Sequence, residues 1–427
     1  MSSSHIGRTI TITDWPRRVR SMSRLGLLLF AVLLPLENVF RIPVLGSLGR
    51  ISGIILLLLA LPSFFVGRKL HLRAPSLTIV ILGAFTAWAA ASLLWSTDTG
   101  RTVAYTSTVI QLFLLTSIVW HLCRTDAERL LVFQAYVVGA CGAIVSALWN
   151  MFNGVEAVYG RYSATGTDPN DFALMVVLAI PMAWELASRG ASRFATLNFA
   201  YLPVAVVAVI ISGSRGGAIA LSVALLVVPF GFRHLTRRSR RKLYGIALLG
   251  ISSIPFLWSR LSTFVGQNLD RLRNTASDAV SGSLNVRDVI WAYAADIFGD
   301  NPILGVGGGA FISALESESG MAELAHNTLL SVAVELGIVG LCLFATALIS
   351  TVLPLLRSKS RYAVPSLLLV TILVVGSLAL TWEIRKPTWI VLVLASAYSP
   401  VILSRIARRD DHIRVEPPPE NAQVPYS

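Results

Sequence analysis

The chain has 427 residues, of which 54% are hydrophobic and only 14% charged, and a mean hydropathy of +0.68; together these exclude an array of soluble domains and indicate an integral membrane protein. Its 36 Lys and Arg against 23 Asp and Glu leave a formal charge of +13, which a polytopic chain carries first as the positive-inside bias of cytoplasmic loops, so no nucleic-acid partner is expected. Cys123, Cys141 and Cys342 are odd in number and lack C-x-x-C spacing, which argues against a disulfide frame or structural zinc.

A bilayer core of ~30 Å needs about 20 helical residues. Apolar runs of that order recur at 25–40, 49–66, 75–95, 102–122, 128–152, 170–187, 195–212, 217–232, 243–259, 327–353, 363–382 and 387–403. They predict an all-α polytopic fold with about 12 transmembrane helices. Pro35 and Glu37 interrupt the first run. The division expected is a cytoplasmic tail over 1–24, nine helices over 25–259, an extracytoplasmic loop over 260–325, three helices over 326–403 and a disordered cytoplasmic tail over 404–427. Residues 1–24 are polar and basic and no small-residue cleavage site follows, so no signal peptide is expected. With both termini cytoplasmic, 25 of the 36 basic residues fall inside. Most of the charge then serves topology, and the run at 233–242 faces anionic lipid.

Several features remain once the spans are accounted for. Gly160-Arg161-Tyr162 precedes Asp168-Pro169-Asn170-Asp171, a sequence suited to starting a helix, at the outer entry to the sixth span. Two carboxylates there lack a third ligand, so no metal site is expected. Ser212-Gly213-Ser214-Arg215-Gly216-Gly217 is a tight outer turn; its glycines would admit a phosphate to the backbone and Arg215 would hold phosphate oxygens, or snorkel to headgroups. In the long loop, Leu284 to Phe298 reads as an amphipathic helix with Val286, Val289, Ile290, Tyr293 and Ile297 on its apolar stripe, and with Arg287 and Trp291 on it.

Asn301-Pro302 ends that helix, and Gly305-Val306-Gly307-Gly308-Gly309 follows as a flexible turn. With neither a preceding strand nor a following Gly-Lys-Ser/Thr, the glycines do not form a nucleotide loop. The topology sorts five histidines to the cytoplasmic side and leaves His326 alone outside, where Asn327 and Thr328 cap the tenth span. His326 is either an interfacial residue or a general base, since neutral imidazole accepts a proton near pH 7.

In order, Ser214-Arg215-Gly216-Gly217, then Arg287 with Trp291 and Asn301-Pro302-Ile303-Leu304-Gly305-Val306-Gly307, then His326-Asn327-Thr328-Leu329-Leu330 running into Val334-Glu335-Leu336-Gly337, resemble the O-antigen ligase/polymerase superfamily of bacterial membrane glycan transferases. The likeness is specific over roughly 155–345. It implies a GT-C-type glycosyltransferase of the bacterial inner membrane, acting at its outer face without metal or other cofactor. The implied donor is a glycan on undecaprenyl diphosphate, and the acceptor is a lipid-linked repeat or lipid A core.

Carried over residue by residue, Arg215 and Arg287 match arginines proposed to bind the diphosphate, and His326 matches the proposed base. Arg161, Asp168, Asn170, Asp171, Trp291 and Asn327 complete the expected substrate-binding set. Glu335 lies nine residues from His326, half a turn out of phase with it. Ligase, polymerase and protein O-glycosyltransferase all stay open; the Asp-Pro-Asn-Asp turn favours an O-antigen or exopolysaccharide polymerase by family association alone. The alternative from another class is a secondary transporter of a bicarbonate-like anion or a glycolipid, which would place its ionisable residues at mid-membrane.

Overall fold

A computed structural model describes residues 15–42, 46–66, 69–70, 73–158, 160–189, 194–226, 235–246, 248, 252, 286–360 and 363–396. The described chain is mostly helical. Its helices are α1 (Trp15–Leu33), α2 (Leu48–Phe64), α3 (Leu77–Ala91), α4 (Thr99–Leu122), α5 (Asp126–Phe152), α6 (Pro169–Ser188), α7 (Ala195–Ser212), α8 (Arg215–Leu225), α9 (Val286–Asp300), α10 (Phe311–Ser319), α11 (Thr328–Arg357), α12 (Ala363–Ser377) and α13 (Lys386–Ala395), and residues 237–246 are helical as well. Two-residue antiparallel ladders join Arg41–Ile42 to Gly46–Ser47 and Phe65–Val66 to Lys69–Leu70.

Among the described residues, six helices are long and apolar enough to cross a membrane: Leu77–Leu94, Thr99–Leu122, Asp126–Phe152, Pro169–Ser188, Ala195–Ser212 and Thr328–Arg357. Four more, Leu48–Phe64, Arg215–Leu225, Ala363–Ser377 and Lys386–Ala395, are apolar but shorter. This is the architecture of an all-α, multi-pass membrane protein. The expected ninth span lies mostly outside the described residues, as do the end of the eighth and the tail after 404.

The first helix departs from the sequence reading: it starts at Trp15 and stops at Leu33, because the basic residues of 17–24 do not prevent helix formation and Pro35 cannot continue it. Glu37 lies in the following turn, where it pairs with Lys386 at 2.5 Å.

Local sequence sets the helix starts. Thr125 and Glu128 form a reciprocal capping box on α5, and Asp168 caps α6 with Pro169 in its first turn. α6 is the axis of the bundle, 94% of its span being buried among α5, α7, α8 and α12. α1 packs on α2 and α5, and α11 on α3.

α11 is broken at Gly337, whose φ of 67° and ψ of −171° interrupt the helix. Residues 301–311 fill the break as a strap. Ile338 N donates to Pro302 O at 2.9 Å, Val306 N to Val334 O at 3.0 Å and Gly307 N to Glu335 O at 2.9 Å. A Cβ at Gly337 would stand 2.0 Å from Ile303 O, so both the conformation and the close approach require glycine. The glycine run expected to be a flexible turn is thus packed backbone, buried over 305–308.

The helix expected over 284–298 is α9, with its inner stripe partly reassigned. Ile290, Ala294 and Ile297 are buried with Val306, Phe311, Leu315 and Val334 in a small separate core, whereas Val289 is 47% exposed. The stripe turns because α9 must also meet Val306 of the strap and the part of α11 that precedes Gly337.

Candidate active site

Three segments distant in sequence bring Arg215, Arg287 and His326 to one cavity of about 650 Å³ at the end of the bundle that carries α9 and α10. The first is the turn between α7 and α8. Gly213, with φ of 57°, closes α7 in the left-handed cap, and Ser214 Oγ accepts the Gly217 N–H at 3.1 Å to start α8. Arg215 is therefore the first residue of a helix, beside N–H groups that already attract an anion. Gly216 and Gly217 line the cavity but have a packing role: a Cβ on them would stand 2.9 Å from Ala379 Cβ and 2.5 Å from Ala173 Cβ. Their smallness docks α8 onto α6 and the 378–380 segment, where the sequence suggested room for a phosphate.

The second segment is the start of α9, which brings Arg287 and Trp291 to the cavity. Burial, and then the Arg215 charge, pull the Arg287 guanidinium below its usual value, with Asp168 opposing. Two guanidiniums thus repel across the cavity, and neither has a hydrogen bond or salt bridge to a described residue. An anion bound between them would relieve that repulsion. Trp291 Nε1 donates to Ala325 O at 2.8 Å, which fixes the residue preceding His326 to α9.

The third segment is 323–326. His326 is the one non-glycine with positive φ among the described residues, at 47°, a strained conformation that turns the chain sharply before Asn327 caps α11. Its imidazole is half-buried. Burial, then the Arg287 charge, hold it below the ordinary histidine value, with Glu323, Asp168 and Asp171 opposing, so it is neutral at pH 7 and able to take a proton.

The remaining expected residues divide by role. Arg161 and Asn170 line the cavity and brace it: Arg161 Nε donates to Ser212 O at 2.8 Å and Nη2 to Asn170 Oδ1 at 2.7 Å, joining the α7–α8 turn to the start of α6. Asp168 Oδ1 accepts the Asn170 and Asp171 N–H groups at 2.8 and 3.3 Å, so it is a helix cap whose charge also reaches Arg287 and His326. Asp171 and Asn327 are not in the lining. Asp171 accepts Trp382 Nε1 at 2.7 Å and pairs with Arg385 at 2.9 Å, and Asn327 Oδ1 caps α11 through Leu329 N and Leu330 N at 3.0 and 3.2 Å. Glu335 lies in the strap contact and outside the lining; His326 precedes the Asn327 cap and is not part of the helix, so helical phase does not relate the two.

Sequence reasoning passed over Glu323, Asp288 and the 378–380 segment, all of which line the cavity. Glu323 had a signal in its place three residues before His326; the 378–380 segment had none, being an apolar stretch brought in by α12. Among the described residues no three His, Cys, Asp or Glu side chains gather as a metal-ligand set.

The fold and this cavity define a multi-pass membrane protein with two arginines and a histidine facing one chamber of mixed polar and apolar lining at one end of its helices. Residues 200–345 match the family model described as O-antigen ligase, a match that supports a place for this segment in the O-antigen ligase superfamily. The matched stretch contains Arg215, Arg287 and His326. No curated protein matches the chain.

Proposed function

We propose that the protein is a GT-C-type glycosyltransferase with about 12 spans and both termini in the cytoplasm. It moves a glycan from undecaprenyl diphosphate to an acceptor hydroxyl at the outer face of the bacterial inner membrane. The observation that carries this reading is the meeting of Arg215, Arg287 and His326, all three from the segment that matches the O-antigen ligase family model, in one cavity of about 650 Å³. A glycosyl diphosphate already has a good leaving group, so catalysis requires stabilising the negative charge that develops on it and activating the acceptor.

The acceptor oxygen attacks the anomeric carbon in line and its proton passes to His326. The bond from that carbon to the diphosphate oxygen breaks, its electron pair staying with undecaprenyl diphosphate, and the configuration inverts. Arg215, with the α8 N-terminus behind it, and Arg287 bind the diphosphate. Because two guanidiniums supply the positive charge, transfer is expected to proceed with chelator present. Arg161 and Asn170 hold the cavity wall and meet the sugar, and Trp291 positions the His326 backbone.

The acceptor is the next lipid-linked repeat or lipid A core. The family association of the Asp-Pro-Asn-Asp turn favours the polymerase, while its carboxylates cap α6 and tie to Trp382 and Arg385. Glycan analysis after gene deletion separates the two: single repeats on the surface mark a polymerase, and chains stranded on the carrier mark a ligase.

The decisive experiment is release of undecaprenyl diphosphate from purified lipid-linked oligosaccharide by wild type and by Arg215→Ala, Arg287→Ala and His326→Ala. Unchanged turnover in all three would overturn the site. Solute movement across liposomes without glycan transfer would support the transporter alternative instead.

A further inference from the structure

The end of the bundle opposite the cavity carries a second concentration of positive charge. α4 runs from the 95–98 segment, where Thr97 N donates to Val306 O of the strap at 2.9 Å, to Leu122, so the connection between α4 and α5 lies at the far end. Two recesses flank that connection. One, of about 90 Å³, is lined by Arg73, Arg124 and Arg129 together with Val393 and Leu394. The other, of about 50 Å³, lies between α1 and α5 and is lined by Arg20 and Arg24 with Leu27 and Leu28.

Five guanidiniums there meet two carboxylates, and both carboxylates are engaged. Asp126 pairs with Arg129 at 3.3 Å, and Glu128 Oε2 accepts the Arg124 and Thr125 N–H groups at 2.9 and 3.0 Å. Arg73 donates to Trp120 O at 3.0 Å and Cys123 O at 2.7 Å and stacks 3.6 Å over the Trp120 ring, contacts that orient its charge without neutralising it. Burial and then repulsion from Arg124 pull the Arg73 guanidinium below its usual value, with Cys123 and Glu128 opposing. Beside the charges, α1 exposes Met22 and Leu25 at 53% and 65%. Guanidinium against exposed aliphatic surface at a helix end matches a lipid headgroup with its first methylenes, whereas a free phosphate would leave the aliphatic surface bare.

We propose that the α4–α5 connection, through Arg73 and Arg124 with Arg20 and Arg24 of α1, binds the phosphodiester headgroup of an acidic phospholipid whose acyl chains lie along α1. This site is separate from the transfer cavity and does not depend on the reading of that cavity.

The test is native mass spectrometry of the full chain in detergent, titrated with phosphatidylglycerol or phosphatidylcholine. Wild type is expected to retain phosphatidylglycerol preferentially. Each arginine near a membrane surface contributes roughly a five-fold preference for acidic lipid, so Arg24→Gln/Arg124→Gln is expected to lower phosphatidylglycerol affinity about 25-fold. Arg20→Gln/Arg24→Gln, which changes only exposed α1 positions, is expected to give a similar loss, and Arg101→Gln at the other end is expected to give none. Equal retention of the two lipids by wild type, or wild-type affinity in the Arg20→Gln/Arg24→Gln variant, would overturn the proposal. Displacement of phosphatidylglycerol by millimolar inorganic phosphate would identify a free-phosphate site and overturn the lipid assignment.

Discussion

In the proposed reaction His326 serves as base through being neutral, and its neighbours fix the sign of the pH response. Burial and Arg287 disfavour the imidazolium, so the acidic limb of the transfer rate is expected below the ordinary histidine value of about 6.5, with activity present above it and lost as pH falls through it. Glu323 opposes this shift; Glu323→Gln is expected to move the limb to lower pH, and Arg287→Gln to move the limb of the residual rate to higher pH. A pH–rate profile of the three proteins checks both directions, and limbs that do not move would show that the titrating group is elsewhere. Loss of His326 as base is expected to cost about 10²–10⁴-fold in kcat, and loss of either cavity arginine about 10²–10³-fold. Trp291→Phe removes one hydrogen bond, roughly 1 kcal/mol, from the support of a strained residue; kcat is expected to fall several-fold with KM little changed.

Among the elements, the strap of 301–311 and the break in α11 act as one unit. Gly337→Ala would place a Cβ at 2.0 Å from Ile303 O on a left-handed backbone. That combination of φ and ψ, which essentially only glycine adopts, costs about 1–3 kcal/mol by itself, and the overlap adds to it, so destabilisation of at least ~2 kcal/mol is expected, read as a lower Tm in detergent. A Tm equal to wild type would show that the strap does not depend on the break. Glu335 faces the backbone N–H groups of Gly309 and Phe311 from the same break. Glu335→Gln is expected to keep most of the stability lost in Glu335→Ala, because the amide oxygen still accepts those bonds. The sequence showed the elements at both sides of this joint, α9 with its Asn301-Pro302 stop and α11 with its Asn327 cap, because caps and breakers are local. It did not show that the glycines between them are buried, since nothing in a Gly-rich run distinguishes a mobile turn from backbone inserted into a helix.

For the whole molecule, charge sidedness provides the check on orientation. In a cysteine-free background, Glu316→Cys in α10 is expected to react with a membrane-impermeant maleimide added to intact cells, and Arg238→Cys only after permeabilisation; the reverse pattern would invert the proposed topology. By itself the sequence determined the membrane class, because about 20 consecutive apolar residues bury their backbone only as helices. It also marked Arg215 and His326, ionisable residues that stand where the hydrophobic pattern stops, and Arg287, which opens the amphipathic helix of the long loop. Only the tertiary structure decided that these three face one cavity. The same held for the assignment of Arg161, Asp168, Asp171 and Asn327 to bracing and capping and for the placement of Glu323 and the 378–380 segment in the wall. Those outcomes depend on how α6, α8, α9, α11 and α12 pack, and packing brings together residues whose separation along the chain leaves no local trace.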